Sequence, residues 1–237
     1  MLMSATNFGL HFLVFTKRSF KYYLINDELK LFLSIIFVVV LVSTLTLYMK
    51  EGFNINDSIR YGFFQSISIV TTTGYTLEPL SGLGGSIGFL IFILAFIGAC
   101  SGSVGGGMKV WRILLMIKVG FSNITKIIHP SAISSVKLNG EKIVSSQIEA
   151  VVSFIASYIS FFLLFMLVLI FQNVDFYSAF SGTAAAINNL GPGLGSFSEN
   201  YSALTDVGKF TLTMAMIVGR LELFGVLILF VPSFWRS

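Results

Sequence analysis

The chain is poor in the groups that most soluble chemistry draws on, with one cysteine, two histidines and four prolines in 237 residues and charged side chains at only 11%. A lone Cys100 excludes an intrachain disulfide, and its apolar neighbours Ala99 and Ile97 mark a small packed residue rather than a reactive thiol. His11 and His129 stand apart, with no Cys, Asp or His at ligand spacing, which argues against a transition-metal site and any metal or organic cofactor. No nucleophile beside a base, no paired carboxylates and no cofactor-binding loop stand out, so an enzyme is a distant reading.

What fills the chain is apolar. Hydrophobic residues make up 55% and the mean hydropathy is +0.87, far from the soluble average and typical of an all-α protein that crosses a membrane several times. The net charge of +4 does not indicate nucleic acid, because ten of the fifteen basic residues lie in two places: Lys17, Arg18, Lys21 and Lys30, then Lys109, Arg112, Lys118, Lys126, Lys137 and Lys142. Basic flanks of spans stay cytoplasmic, so the N-terminus and the mid-chain loop are expected inside. The intervening stretches carry Glu51, Asp57, Glu78, Asp175, Glu199 and Asp206 and are expected on the other face. Met1–Phe15 has no basic leader and looks like the tail of an earlier helix leaving the membrane.

The order of segments repeats. Leu31–Met49 is about one bilayer thickness, at roughly 20 residues per span. Asn56–Val70 follows, too short to cross and amphipathic, and reads as a re-entrant pore helix with Asp57 at its positive end. After Thr71–Thr72–Thr73–Gly74–Tyr75 comes Gly85–Gly98, broken at Gly102, Gly105, Gly106 and Gly107 before Met108–Val119 resumes. The second round is Ile143–Phe171, short Asp175–Ile187, the loop Asn188–Gly195, and Leu204–Val231, which ends near Pro232, Phe234 and Trp235. Leu31 to Gly74 is 43 positions, as is Ile148 to Gly191. The expected divisions are 1–30, a segment leaving a preceding repeat; 31–119, one repeat; 120–142, a cytoplasmic loop; and 143–237, a second repeat.

Non-helical backbone at membrane depth is costly unless it is buried in protein or lines water. Two Gly-centred loops 117 positions apart, each after a short helix, suit a cation path in which backbone carbonyls replace a hydration shell. The candidate ion-contacting residues are Thr72, Thr73, Gly74 and Tyr75, then Asn189, Leu190, Gly191 and Pro192. Taken alone, each string also reads as an ordinary turn. Arg220, among Ile217, Val218, Leu221 and Leu223, lies too deep to snorkel from a straight helix, so it faces a water path or an ion-pair partner. Glu222, two positions on, is a poor local partner. Counting 29 positions past Gly74 reaches Ser103, and 29 past Gly191 reaches Arg220. A barrier or gate is therefore expected from Ser101, Gly102, Ser103, Gly105, Gly106, Gly107 and Arg220, with tight packing of small residues as the other reading of the glycines. Lys109 and Arg112 are expected to be solvated or lipid-contacting charges without a specific task.

These motifs resemble the Trk/Ktr/HKT superfamily of potassium transporters, and within it the Trk membrane subunits. The likeness rests on Thr71–Tyr75, Gly98–Lys109 (GACSGSVGGGMK), Asn188–Gly195 (NNLGPGLG), Gly219–Phe224 (GRLELF), His129–Pro130 and Lys137–Gly140 (KLNG). The resemblance implies four helix–pore-helix–helix repeats around a pseudo-fourfold pore, of which this chain holds the last two. It further implies Gly74 and Gly191 as filter glycines, Ser101–Gly107 as the intramembrane gate, and Arg220 as the pore arginine. K⁺ would be the transported ion and a bacterial inner membrane the location. A cytosolic nucleotide-binding regulatory subunit and pairing of complete subunits into homodimers are implied partners. Half of a four-part filter cannot encircle an ion, so the chain is expected to need a missing first half or a second copy. A non-conducting assembly module is the alternative.

Overall fold

The computed structural model describes residues 1–49, 52–77, 85–130, 135–229 and 231–235, with the backbone alone at 85–87, 90 and 91. The expected outer-face acids Glu51 and Glu78 lie outside the described residues. Among those described, the chain is almost entirely helical: α1 (Leu2–Ala5), α2 (Phe8–Lys17), α3 (Lys21–Ile25), α4 (Asp27–Met49), α5 (Ile55–Val70), α6 (Gly85–Leu94), α7 (Val110–Ile128), α8 (Ser145–Phe171), α9 (Phe176–Ile187), α10 (Asp206–Arg220) and α11 (Phe224–Leu229). One two-stranded hairpin, β1 (Lys137–Leu138) and β2 (Glu141–Lys142), interrupts them.

Two of these helices, α4 and α8, are long and apolar enough to cross a membrane, and only 28% and 33% of their most apolar stretches are buried. A core helix of a soluble protein would be mostly covered. Instead Leu33, Phe37, Val38 and Leu41 on α4 and Ile159, Leu163, Leu164 and Leu167 on α8 face outward, a surface that lipid accepts and water does not.

The short helices are tucked inside. From Gln65 to Val70 every residue of α5 is buried, as is all of α9 from Ser181 to Ile187. Small and hydroxyl-bearing residues make that possible. Gly62 lets α5 approach α4 so closely that a Cβ there would meet the Thr44 backbone at 3.0 Å, and Ser66 Oγ donates to Ser43 Oγ at 3.1 Å in the same contact. At the head of α9, the Ser178 N–H donates to the Asp175 carboxylate at 2.9 Å. That bond holds the carboxyl below its usual pKa and meets one of the orphan donors of the helix start.

Three boundaries depart from the sequence reading. The helix that resumes after the Gly-rich break continues to Ile128, nine residues into the expected loop 120–142, because no breaker intervenes before Pro130. That loop also contains the hairpin, whose Asn139 and Gly140 take left-handed torsions at φ 49° and 85°, the pattern of a two-residue turn. The expected continuous span Leu204–Val231 is broken: α10 stops at Arg220, Glu222 turns left-handed at φ 48°, and α11 restarts at Phe224.

The close α4–α5 contact is testable. Gly62→Val should cost about 1–3 kcal/mol of stability through overpacking, seen as a lowered thermal midpoint of the detergent-purified protein. An unchanged midpoint would refute the contact.

Candidate functional site

The loops that follow α5 and α9 are built alike. Thr71, Thr72 and Thr73 donate their N–H groups to Ile67 (3.0 Å), Ile69 (2.9 Å) and Ser68 (2.8 Å), and 117 positions later Asn188, Asn189 and Leu190 donate to Ala184 (3.1 Å), Ala186 (3.0 Å) and Ala185 (2.8 Å). The torsions repeat too: Thr72 and Asn189 both have φ 53°, and Gly74 and Gly191 have φ 79° and 99°. Asn tolerates the left-handed region, whereas a β-branched Thr there is strained.

The two loops meet. A Cβ on Gly74 would collide with the carbonyl oxygen of Leu190 and lie 3.3 Å from Pro192 Cδ, so only glycine permits this approach. Thr73, Tyr75 and Gly191 are exposed, Thr72, Gly74, Asn189 and Pro192 half-buried, and Leu190 buried. Among the described residues, the carbonyls of Thr72, Thr73, Gly74, Asn189 and Leu190 accept no inter-element or loop hydrogen bond from backbone N–H groups. The Gly191 carbonyl does have a donor, the Tyr201 hydroxyl at 2.9 Å. Asn188, beside the predicted set, is fully buried and accepts from the Tyr158 hydroxyl at 2.7 Å while donating to Ala184 O at 2.9 Å. Asn189 Nδ2 reaches Met216 O at 3.2 Å, which ties the second loop to α10.

Ser101–Gly107 lies against both loops. The Gly106 N–H donates to Thr72 Oγ1 at 2.6 Å, and a Cβ on Gly106 would strike the carbonyl of Asn188. A Cβ on Gly105 would lie 3.2 Å from Thr71 O, and one on Gly107 would lie 2.7 Å from Gly98 Cα. The start of the segment is pinned as well. Ser101 donates its N–H to Glu28 Oε1 at 2.5 Å, Gly102 O accepts from Phe8 N–H at 3.1 Å, and Ser103 Oγ donates to Cys100 O at 2.5 Å. Gly105, Gly106 and Gly107 are thus closely packed. Cys100 is 1% exposed, a packed residue as its neighbours suggested.

Arg220 reaches the same segment, donating from Nη1 to Val104 O at 2.9 Å, and its side chain is exposed to the space around it. A cavity of about 280 Å³ opens there, lined by Ser103, Gly105, Lys109, Tyr158, Arg220 and Glu222 among others. Lys109 and Arg112 are not the solvated charges the sequence suggested. Lys109 is 9% exposed, and its ammonium donates to Ser103 O at 3.4 Å and to Gly105 O. Arg112 pairs with Glu222 at 2.7 Å and lies 3.9 Å above the Phe154 ring. Both charges turn inward because carbonyls and a carboxylate there offer partners the apolar flank lacks. Glu222 is indeed no partner for Arg220, but it serves Arg112 across the helix break. Sequence reasoning missed Glu28, Asn188, Tyr158 and Tyr201 as well. Only Glu28, an acid at the head of an apolar run, carried a signal.

Among the described residues no group of three or more His, Cys, Asp or Glu is placed to hold a metal. His11 instead shares a hydrogen bond with the Tyr23 hydroxyl at 2.6 Å.

A family profile described as "TrkH: Cation transport protein" matches residues 1–237. The chain belongs to the TrkH family. It is 39% identical, over its full length, to the Trk system potassium uptake protein TrkH of Escherichia coli and 36% identical to that of Halomonas elongata. The crystal structure of the potassium transporter TrkH from Vibrio parahaemolyticus superposes on 99% of the chain with a TM-score of 0.93 at 38% identity. This TrkH-family chain spans about half the length of the curated relatives it matches, 49% of the first two, and 51% of the Vibrio chain. The helical membrane fold and the potassium-transport kinship of the sequence reading therefore hold.

Backbone proximity at the site predicts opposite outcomes for two glycines. A Cβ on Gly219 would collide with the Ile187 carbonyl, while Gly225 has nothing within 4 Å. Gly219→Ala should lose about 1–3 kcal/mol in detergent unfolding, whereas Gly225→Ala, inside α11, should be neutral or stabilising by up to about 1 kcal/mol.

Proposed function

We propose that this chain supplies two of the four quarters of a potassium uptake pore in a bacterial inner membrane. In this reading, it is built from two helix–pore-helix–helix repeats, α5 and α9 are the re-entrant pore helices, and Thr72–Tyr75 and Asn189–Pro192 are their filter segments. The observation that carries the reading is the meeting of two loops with one shared hydrogen-bond and torsion pattern at Gly74 and Leu190. Their carbonyls are left without backbone donors, as an ion that exchanges water for oxygen needs. The negative C-terminal ends of α5 and α9 point to the same place and favour a cation.

Ser101–Gly107 and Arg220 form the barrier beneath. A fixed guanidinium under a carbonyl site repels a passing cation, and the segment it holds through Val104 O blocks the path until it moves. The relatives named for potassium uptake support K⁺ as the ion. A cytosolic nucleotide-binding regulatory subunit and a homodimer of complete subunits are the partners this reading assigns, with no enzymatic step.

Coverage of about half of each relative favours a second reading of the chain by itself: a half-protein that conducts only beside a first half. Growth of a potassium-uptake-deficient bacterium on low K⁺ separates the two. Expression together with the first half of the Escherichia coli relative should restore growth, and the chain alone should not. Restoration by the chain alone would show that two copies close the ring, and failure of both would sink the pore reading. In the restored assembly, Arg220→Ala should raise rubidium flux by about tenfold, the effect of removing roughly 1.4 kcal/mol of barrier. Reduced flux would contradict the barrier role.

A further inference from the structure

Glu28 is a buried acid that the pore reading leaves without a task. It sits in the first turn of α4 at 5% exposure, and its Oε1 accepts the Ser101 N–H at 2.5 Å. Ser101 opens the glycine-rich segment inside the break between α6 and α7. Its N–H lies outside any helix, and the buried carboxylate supplies the acceptor.

The neighbouring residue fixes where that carboxylate stands. Asp27 N–H donates to Asn139 Oδ1 at 2.8 Å, and Asn139 N–H donates back to Asp27 Oδ2 at 3.2 Å. Lys118 on α7 donates to Asp27 Oδ2 at 2.8 Å and to the Lys137 carbonyl at 2.9 Å. The tip of the β1–β2 hairpin is thereby clasped onto the head of α4. Leu138, 5% exposed, is seated with Leu114, Leu115 and Val151 in a small core of its own, so the hairpin is anchored to α7 and α8 as well.

We infer that Glu28 is the positioning residue for the Ser101–Gly107 segment, and that the Asp27–Asn139–Lys118 clasp makes the placement of that segment depend on the seating of the hairpin. The chain of contacts is continuous: hairpin tip, Asp27, Glu28, Ser101, and through Gly106 to Thr72. Lys109 holds the middle of the segment by Ser103 O and Gly105 O, so Glu28 governs its start and Lys109 its body. The inference bears on gating only if the pore reading holds, but the placement itself does not depend on that reading.

Cys100 offers a native reporter. It is the sole cysteine, 1% exposed, and next to Ser101. Maleimide labelling of the full chain in membranes should be slow for the parent and about tenfold faster for Glu28→Ala, the population change that goes with losing a buried charge-assisted hydrogen bond. Glu28→Gln keeps an acceptor oxygen at the same reach and should stay within about twofold of the parent, while Asn139→Ala, on the surface, should label about threefold faster through the weakened cap. A Glu28→Ala rate equal to the parent's, or a Gln rate as fast as Ala's, overturns the assignment. Should the Glu28 variants fail to accumulate, Asn139→Ala decides, and parental labelling there overturns it. Because labelling reads backbone placement and not ion movement, fast labelling without potassium uptake in any assembly would remove the pore reading and leave this one standing.

Discussion

Peptide groups that leave a helix inside an apolar chain have no water to turn to, and the arrangement of the site follows from that constraint. Among the described residues, the loops after α5 and α9 and the break between α6 and α7 leave helical geometry side by side. Each one solves part of its problem by contact with the others. Gly106 N–H goes to Thr72 Oγ1, and Val104 O is taken by Arg220. Ser103 O and Gly105 O are taken by Lys109. Among the described residues, the carbonyls of Thr72, Thr73, Gly74, Asn189 and Leu190 accept no inter-element or loop hydrogen bond from backbone N–H groups, the condition on which the proposed cation path rests.

Strain is concentrated at the same place. Thr72 holds a left-handed torsion that its branched side chain disfavours, and its Oγ1 is the acceptor for Gly106. The hydroxyl that makes the torsion costly is also the one that fixes the segment beneath. Asn189 occupies the matching position at less cost, and it spends its side chain on Met216 O instead. The two loops share a backbone but differ in what they brace: one holds the break after α6, the other holds α10.

Much of this was legible from residue order. The ends of α5 and α9, the Gly-rich break, and the nearness of Ser103 and Arg220, which line one cavity, follow from apolar run lengths and glycine placement, both local properties. What eluded the sequence is long-range polar pairing. Lys109 and Arg112 look like ordinary flanking charges until Gly105 O and Glu222 are brought to them from elsewhere in the fold, 110 positions away in the case of Glu222. Tyr158 and Asn188 are likewise ordinary residues that only packing makes a pair. The break at Glu222 was hidden for the same reason, since an ion pair across elements, not a local glycine, accompanies the left-handed turn.

The two halves of the chain are alike without being equivalent, and the difference is complementary. Where α6 ends at Leu94 and gives way to glycines, α10 carries on to Arg220 before it breaks. One half therefore presents the Val104 carbonyl and the other a guanidinium, and the Arg220–Val104 bond joins them. A symmetric pair of glycine breaks would leave carbonyls facing carbonyls, and a symmetric pair of arginines would set like charges together. Only the unlike pair satisfies both sides, which gives a physical reason for the two halves to differ here while the loops after α5 and α9 share one hydrogen-bond pattern.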